Sequence, residues 1–132
     1  MRARSFIRHM TILLFYLALA VIITFPLILN LSTTLAGFDH GDAYENARYI
    51  WWFTYALRHG QPLFFQPLLA YPNGLEGITL QANLLQYFPA WLFAFVMPLA
   101  AAHNLQALLT MALNGWAMYL LAHRLTDKRQ AA

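Results

Sequence analysis

The sequence predicts an all-α integral membrane protein with two transmembrane helices, or three, and external juxtamembrane helices between them. Only 10% of its 132 residues are charged and 61% are hydrophobic, whereas ordinary soluble chains carry roughly 25% charge. Two long stretches, Met10–Phe38 and Gly77–His123, contain no Asp, Glu, Lys or Arg, and a bilayer core needs about 20 such residues per helix. Arg2, Arg4 and Arg8 stand before the first stretch, and Arg124, Lys128 and Arg129 follow the second. Basic charge gathered in two tails is a topology signal and not the footprint of a nucleic-acid binder. Cysteine is absent, which excludes disulfides and thiolate metal sites.

Each element follows in chain order. Residues 1–9 form a basic cytoplasmic tail, and residues 10–29 an apolar transmembrane helix that leads outward by the positive-inside bias. The rival reading of this stretch is a cleaved signal peptide, because Ala18-Leu19-Ala20 has the small-residue spacing of a cleavage site. The apolar run continues to Leu29, whereas a cleavage site closes the hydrophobic region, so retention is favoured. Pro26 is expected to kink the helix or end it.

Residues 30–82 form an external loop containing a surface helix, 42–59. At 100° per residue one half of that helix carries Ala43, Ala47, Ile50, Phe53, Thr54 and Leu57, and the other carries Tyr44, Arg48, Trp51, Tyr55, Arg58 and His59. This division suits a helix lying along the membrane, its apolar side against lipid or protein. Gly60 stops it. QPLFFQPLLAYPNG, residues 61–74, holds Pro62, Pro67 and Pro72 and excludes a continuous helix. YPNG predicts a tight turn, with Pro72 setting one backbone angle and Asn73-Gly74 tolerating positive φ.

Residues 84–102 are apolar, but Pro89 and Pro98 interrupt their hydrogen bonding, so this segment is a juxtamembrane or re-entrant helix, or a third crossing. Residues 104–122 form a cleaner span, and 123–132 a second basic tail. Two crossings leave both tails cytoplasmic, the arrangement that the charge bias prefers. Gln106, Thr110 and Asn114 recur along one stripe of the last helix; polar groups at membrane depth face protein or water, so this helix expects neighbours.

The candidate chemistry lies in FDHGDAYENARYIWWF, residues 38–53, where Asp39, His40, Asp42 and Glu45 crowd together. If Asp42 starts the helix, Glu45, Asn46 and Tyr49 complete a polar arc at its head. Such carboxylates suit a divalent cation or a proton from a substrate hydroxyl. Asp42 and Glu45 also have capping-box spacing, and acids favour a helix N-terminus; both readings stand. His40 and His59 have no metal-ligand spacing and read as surface residues. Trp51, Trp52, Tyr55 and Trp91 read first as interfacial anchors, with stacking on a sugar or isoprenoid as the lesser reading. Asn46, Tyr49 and Trp52 are the candidate substrate-binding side chains.

The order of these parts resembles the N-terminal module of the GT-C superfamily of membrane glycosyltransferases, and most of all its bacterial and archaeal YfhO-like branch. The resemblance rests on Gly41-Asp42 opening the first external loop and on the Tyr71-Pro72-Asn73-Gly74 turn. It implies an external acid at the active site, here Asp42, acting as base or as ligand of magnesium or manganese. It also implies a polyprenyl-phosphate sugar as donor and the cytoplasmic membrane of a prokaryote as the location. Where relatives have Asp-Glu, this chain has Asp42-Ala43, leaving Glu45 as the substitute second acid. The family needs further spans, so the expectation is a fragment or first module, inactive alone and packed against membrane lipid and other transmembrane helices. The alternative is a small accessory subunit of a larger membrane complex, without enzymatic activity.

Overall fold

The computed structural model describes residues 2–38, 41–76 and 84–126. It divides into two compact units, one built from the N-terminal residues to Leu29 together with those from Ala107 onward, the other from Asn30–Gln106. Among the described residues four α-helices dominate: α1 (Arg2–Ile23), α2 (Ala43–His59), α3 (Leu84–Phe93) and α4 (Leu99–Thr126). Among the described residues, α1 from Phe6 and α4 are the helices long and apolar enough to cross a bilayer. With ten residues, α3 extends only about 15 Å at 1.5 Å per residue, half of a ~30 Å hydrocarbon core. Among the described residues, α3 is therefore shorter than a full crossing.

The first helix is displaced from its expected position. It starts within the basic tail and stops at Ile23, so the apolar span is Phe6–Ile23 and not residues 10–29. Pro26 ends the helix, because its ring in a helical position would strike the carbonyl of Ile22. The chain leaves through a turn, with the Phe25 N–H on Ile22 O at 3.3 Å, and then forms a short 3-10 turn over Leu27–Asn30.

In this unit, Gly115 of α4 lies against the Tyr16 ring of α1, where an added Cβ would fall 2.3 Å from Tyr16 Cδ1. His9 meets Trp116 edge-on at 6.3 Å. Phe6, Leu14, Phe15, Ile22 and Ile23 are exposed, and Ala20 is the fully buried residue of the span. A helix in the core of a soluble protein would show the reverse distribution.

The second unit has a core of its own. Tyr49, Ile50, Trp52, Phe53 and Ala56 of α2 pack on Tyr87 and Ala90 of α3. The buried set of α2 also includes Ala43, Ala47 and Thr54, so it covers an arc of roughly 220° at 100° per residue. Two partners make this possible. α3 covers one side, with Trp91 at 5.1 Å from Phe53, and the returning chain covers another, with Phe64 edge-on to the same ring at 6.2 Å. Leu57, expected on the apolar half, is exposed near the helix end.

Trp52 corrects the aromatic-belt expectation. It is 1% exposed, and its indole N–H donates to Leu63 O at 3.0 Å, so it belongs to the core and not to an interface. Trp52→Phe should lower the melting temperature through the lost hydrogen bond and the carbonyl left behind, a cost of about 1–2 kcal/mol. Trp51→Phe, at an exposed site, is the control expected to melt like the wild type.

Gly60 stops α2 with φ +63°, and the N–H groups of Gly60 and Gln61 both reach Ala56 O, the left-handed cap expected there. The segment beyond contains an element absent from an all-α expectation: β1 (Phe65–Gln66) pairs antiparallel with β2 (Leu75–Glu76). The intervening turn is tight, as YPNG predicts, but its geometry differs. The Tyr71–Pro72 bond is cis, Ala70 and Gly74 take positive φ, and the Asn73 N–H bonds Ala70 O at 3.0 Å. Pro72 thus occupies the third turn position. Glycine suits position 74 because φ is +76°, and a Cβ there would also meet the tip of the Phe65 ring at 2.3 Å.

The two later prolines also act differently from expectation. Pro89 lies inside α3, removing one backbone bond without ending the helix. Pro98 opens α4, its carbonyl accepting the Ala102 N–H at 3.0 Å. The last helix therefore begins before residue 104 and runs beyond 122, taking in His123 and Arg124 of the expected tail.

Candidate functional site

The head of α2 collects most of the polar side chains singled out in the sequence. Asp42 is the N-cap residue, and its carbonyl accepts the Asn46 N–H at 2.8 Å. Its side chain makes no capping bond. The backbone explains this: at φ −67° and ψ −6° Asp42 is already helical, whereas a capping side chain swings back from an extended N-cap. The capping-box expectation therefore fails for the side chains, and the Asp42 carboxylate stays exposed.

Glu45 is not free to close such a box either. Its Oε1 accepts the Tyr49 hydroxyl at 2.7 Å and Arg48 Nη2 at 3.2 Å. Arg48 also donates to Gln66 Oε1 of β1 at 2.5 Å and lies 4.4 Å over the Tyr49 ring. Glu45 thus fastens the β ladder to α2 through Arg48.

Asn46 Oδ1 accepts the Tyr87 hydroxyl from α3, and Tyr87 sits 5.7 Å from the Tyr49 ring. Burial pushes the Tyr87 phenol up, and Tyr49, Glu45 and Asp42 add to the shift. Tyr87 consequently remains a neutral donor through the physiological range, and its contribution to stability is lost only in strong alkali, as pH rises toward its raised folded-state value.

A cavity of about 260 Å³ abuts this head, lined by Thr33, Thr34, Leu35, Gly37, Phe38, Ala43 and Tyr44. One wall is held by Asn104, which is fully buried. Its Nδ2 donates to Leu31 O at 2.8 Å and Thr34 O at 2.5 Å, and its Oδ1 accepts the Ala36 N–H at 2.8 Å. A single amide therefore satisfies three backbone groups of the loop.

The sequence-predicted residues separate accordingly. Asp42, Glu45, Asn46 and Tyr49 share one end of α2; Trp52 is too buried to present a surface to a ligand. Asp39 and His40 lie outside the described residues. His59 is exposed as expected, at the other end of the helix. Among the described residues, no three His, Cys, Asp or Glu side chains converge as a metal-holding group. Tyr87, Arg48, Gln66 and Asn104 were missed. Only the amphipathic pattern of α2 hinted that a second element must cover it. Searches of protein families, characterised proteins and solved structures gave no match to this chain.

Proposed function

We propose that the chain is the first membrane module of a GT-C-like glycosyltransferase, with α1 and α4 crossing the cytoplasmic membrane of a prokaryote and Asp42 acting outside it. Both basic tails then face the cytoplasm. The observation that carries the proposal is the exposed Asp42 carboxylate, free of any capping bond and next in sequence to the cavity-lining Ala43 and Tyr44, while the neighbouring acid Glu45 is held in hydrogen bonds. In the reaction the acceptor hydroxyl oxygen bonds the anomeric carbon of a polyprenyl-phosphate sugar. The bond from that carbon to the phosphate oxygen breaks, the lipid phosphate leaves with the electron pair, and Asp42 takes the hydroxyl proton. Alternatively the same carboxylate would be a ligand of a magnesium or manganese ion, which would supply positive charge to offset that of the leaving phosphate. Asp42 and Glu45 supply too few oxygens for a complete site, so water and substrate phosphate must provide the rest.

Asp42→Asn in the intact gene product should lower transfer from a radiolabelled polyprenyl-phosphate sugar by about 10²- to 10⁴-fold. Membrane insertion, read by resistance to alkaline extraction, should not change. Wild-type transfer by this variant would reject the catalytic role. The exposed Thr110 and Asn114 on α4 favour packing against further transmembrane helices. They also support the second reading, an accessory subunit, which predicts co-purification with a defined partner and indifference to Asp42→Asn.

A further inference from the structure

The opposite end of α2 carries a second, chemically different recess. A cavity of about 160 Å³ is lined by Trp51, Thr54, Tyr55, Arg58, His59, Ala94 and Leu99. It contains a cation and no carboxylate. Arg58 uses one guanidinium donor on Phe95 O at 3.3 Å, and among the described residues the only ion pair is Arg48 with Glu45. Trp51, Tyr55 and His59 stack along one stripe, with centroids 5.1 and 4.1 Å apart. The Nδ1–H of His59 donates to Tyr55 O at 2.9 Å, which fixes the ring in the stack.

We propose that this recess binds a phosphate ester, namely the headgroup phosphate of an anionic phospholipid. Its volume lies below the ~300 Å³ of ordinary small-molecule pockets, which suits a single phosphate with its first carbons. A planar guanidinium is matched to phosphate oxygens, and the fixed charge of Arg58 disfavours a cationic ligand. Amphipathic rings belong at headgroup depth, and exposed Leu92, Phe95 and Val96 offer apolar surface nearby for an acyl chain.

The recess is separate from the candidate transfer site. Arg58 stands sixteen positions from Asp42 along one helix, about 24 Å at 1.5 Å per residue. One phosphate cannot contact both ends. The inference rests on the membrane placement proposed above but not on glycosyl transfer.

The test uses the full chain in a neutral maltoside detergent, with bound lipid counted by native mass spectrometry. Phosphatidylglycerol should be retained at least tenfold better than diacylglycerol, which has the same chains without the phosphate. Arg58→Gln should remove that preference, and Ala94→Leu, which fills the recess without touching its charges, should do the same. Displacement of the lipid by millimolar inorganic phosphate would assign the site to soluble phosphate esters, whereas retention would assign it to the headgroup. Equal binding of the two lipids by the wild type would overturn the proposal, as would an undiminished preference in both variants. Alkaline extraction of the source membranes checks placement independently.

Discussion

Replacing Asn104 by Ala should release the loop over residues 31–36 and cost roughly 2–4 kcal/mol of stability. Asn104 is fully buried, and its one amide serves Leu31 O, Thr34 O and the Ala36 N–H. Each buried group stripped of its partner costs about 1–3 kcal/mol, and partial rewetting of a loosened loop limits the sum. Asn104→Asp separates hydrogen bonding from volume. It keeps an acceptor for Ala36 but sets a carboxylate oxygen against two carbonyls, so it too should destabilise. Thermal unfolding in detergent measures both variants, and limited proteolysis should show new cleavage near Thr33 and Thr34. Wild-type melting by both variants would remove Asn104 from this role. Because Thr33, Thr34 and Leu35 line the cavity at the head of α2, the same variants should weaken whatever binds there.

Gly115→Leu should drive α1 and the second half of α4 apart, with a net loss of about 2 kcal/mol. Even a single Cβ at this position would lie 2.3 Å from the Tyr16 ring and 2.7 Å from its Cγ, so the clash reaches the inflexible base of the side chain. Overpacking of this kind costs about 1–3 kcal/mol, and Leu at the top of that range is opposed by about 1 kcal/mol of helix propensity over Gly. In a Tyr16→Ala background the clash disappears, so the same Gly115→Leu change should be near neutral there. A double-mutant cycle by thermal unfolding reads the difference directly. Equal effects in both backgrounds would show that the contact between Gly115 and Tyr16 is not what limits helix approach.

Local signals recovered the elements whose ends are marked by special residues. α2 was expected over residues 42–59 and occupies Ala43–His59, because Asp42 and Gly60 bracket it and its apolar spacing is regular. The first span was misplaced toward its C-terminus. Composition marks where charge is absent, but helical hydrogen bonding continues through Arg4 and Arg8 and stops short of Pro26. The pairing of Phe65–Gln66 with Leu75–Glu76 was illegible, since two-residue strands carry no period.

The candidate site was half legible for a related reason. Asp42, Glu45, Asn46 and Tyr49 lie close in sequence on one helix, so helical spacing alone brings them together. Tyr87 and Gln66 reach the same place from other elements. Nothing in their own sequence neighbourhoods announces that meeting.

By itself the sequence determined two apolar helices, an amphipathic helix between them and an acid at its head. Charge distribution, side-chain period and the backbone preferences of Gly and Pro act within a few residues and need no partner. Only the tertiary structure decided that Glu45 is engaged by Arg48 and Tyr49, that Trp52 is core, and that Asp42 remains exposed. Those outcomes depend on which surfaces meet across long stretches of chain, where desolvation and hydrogen-bond satisfaction, and not local propensity, choose each side chain's partner.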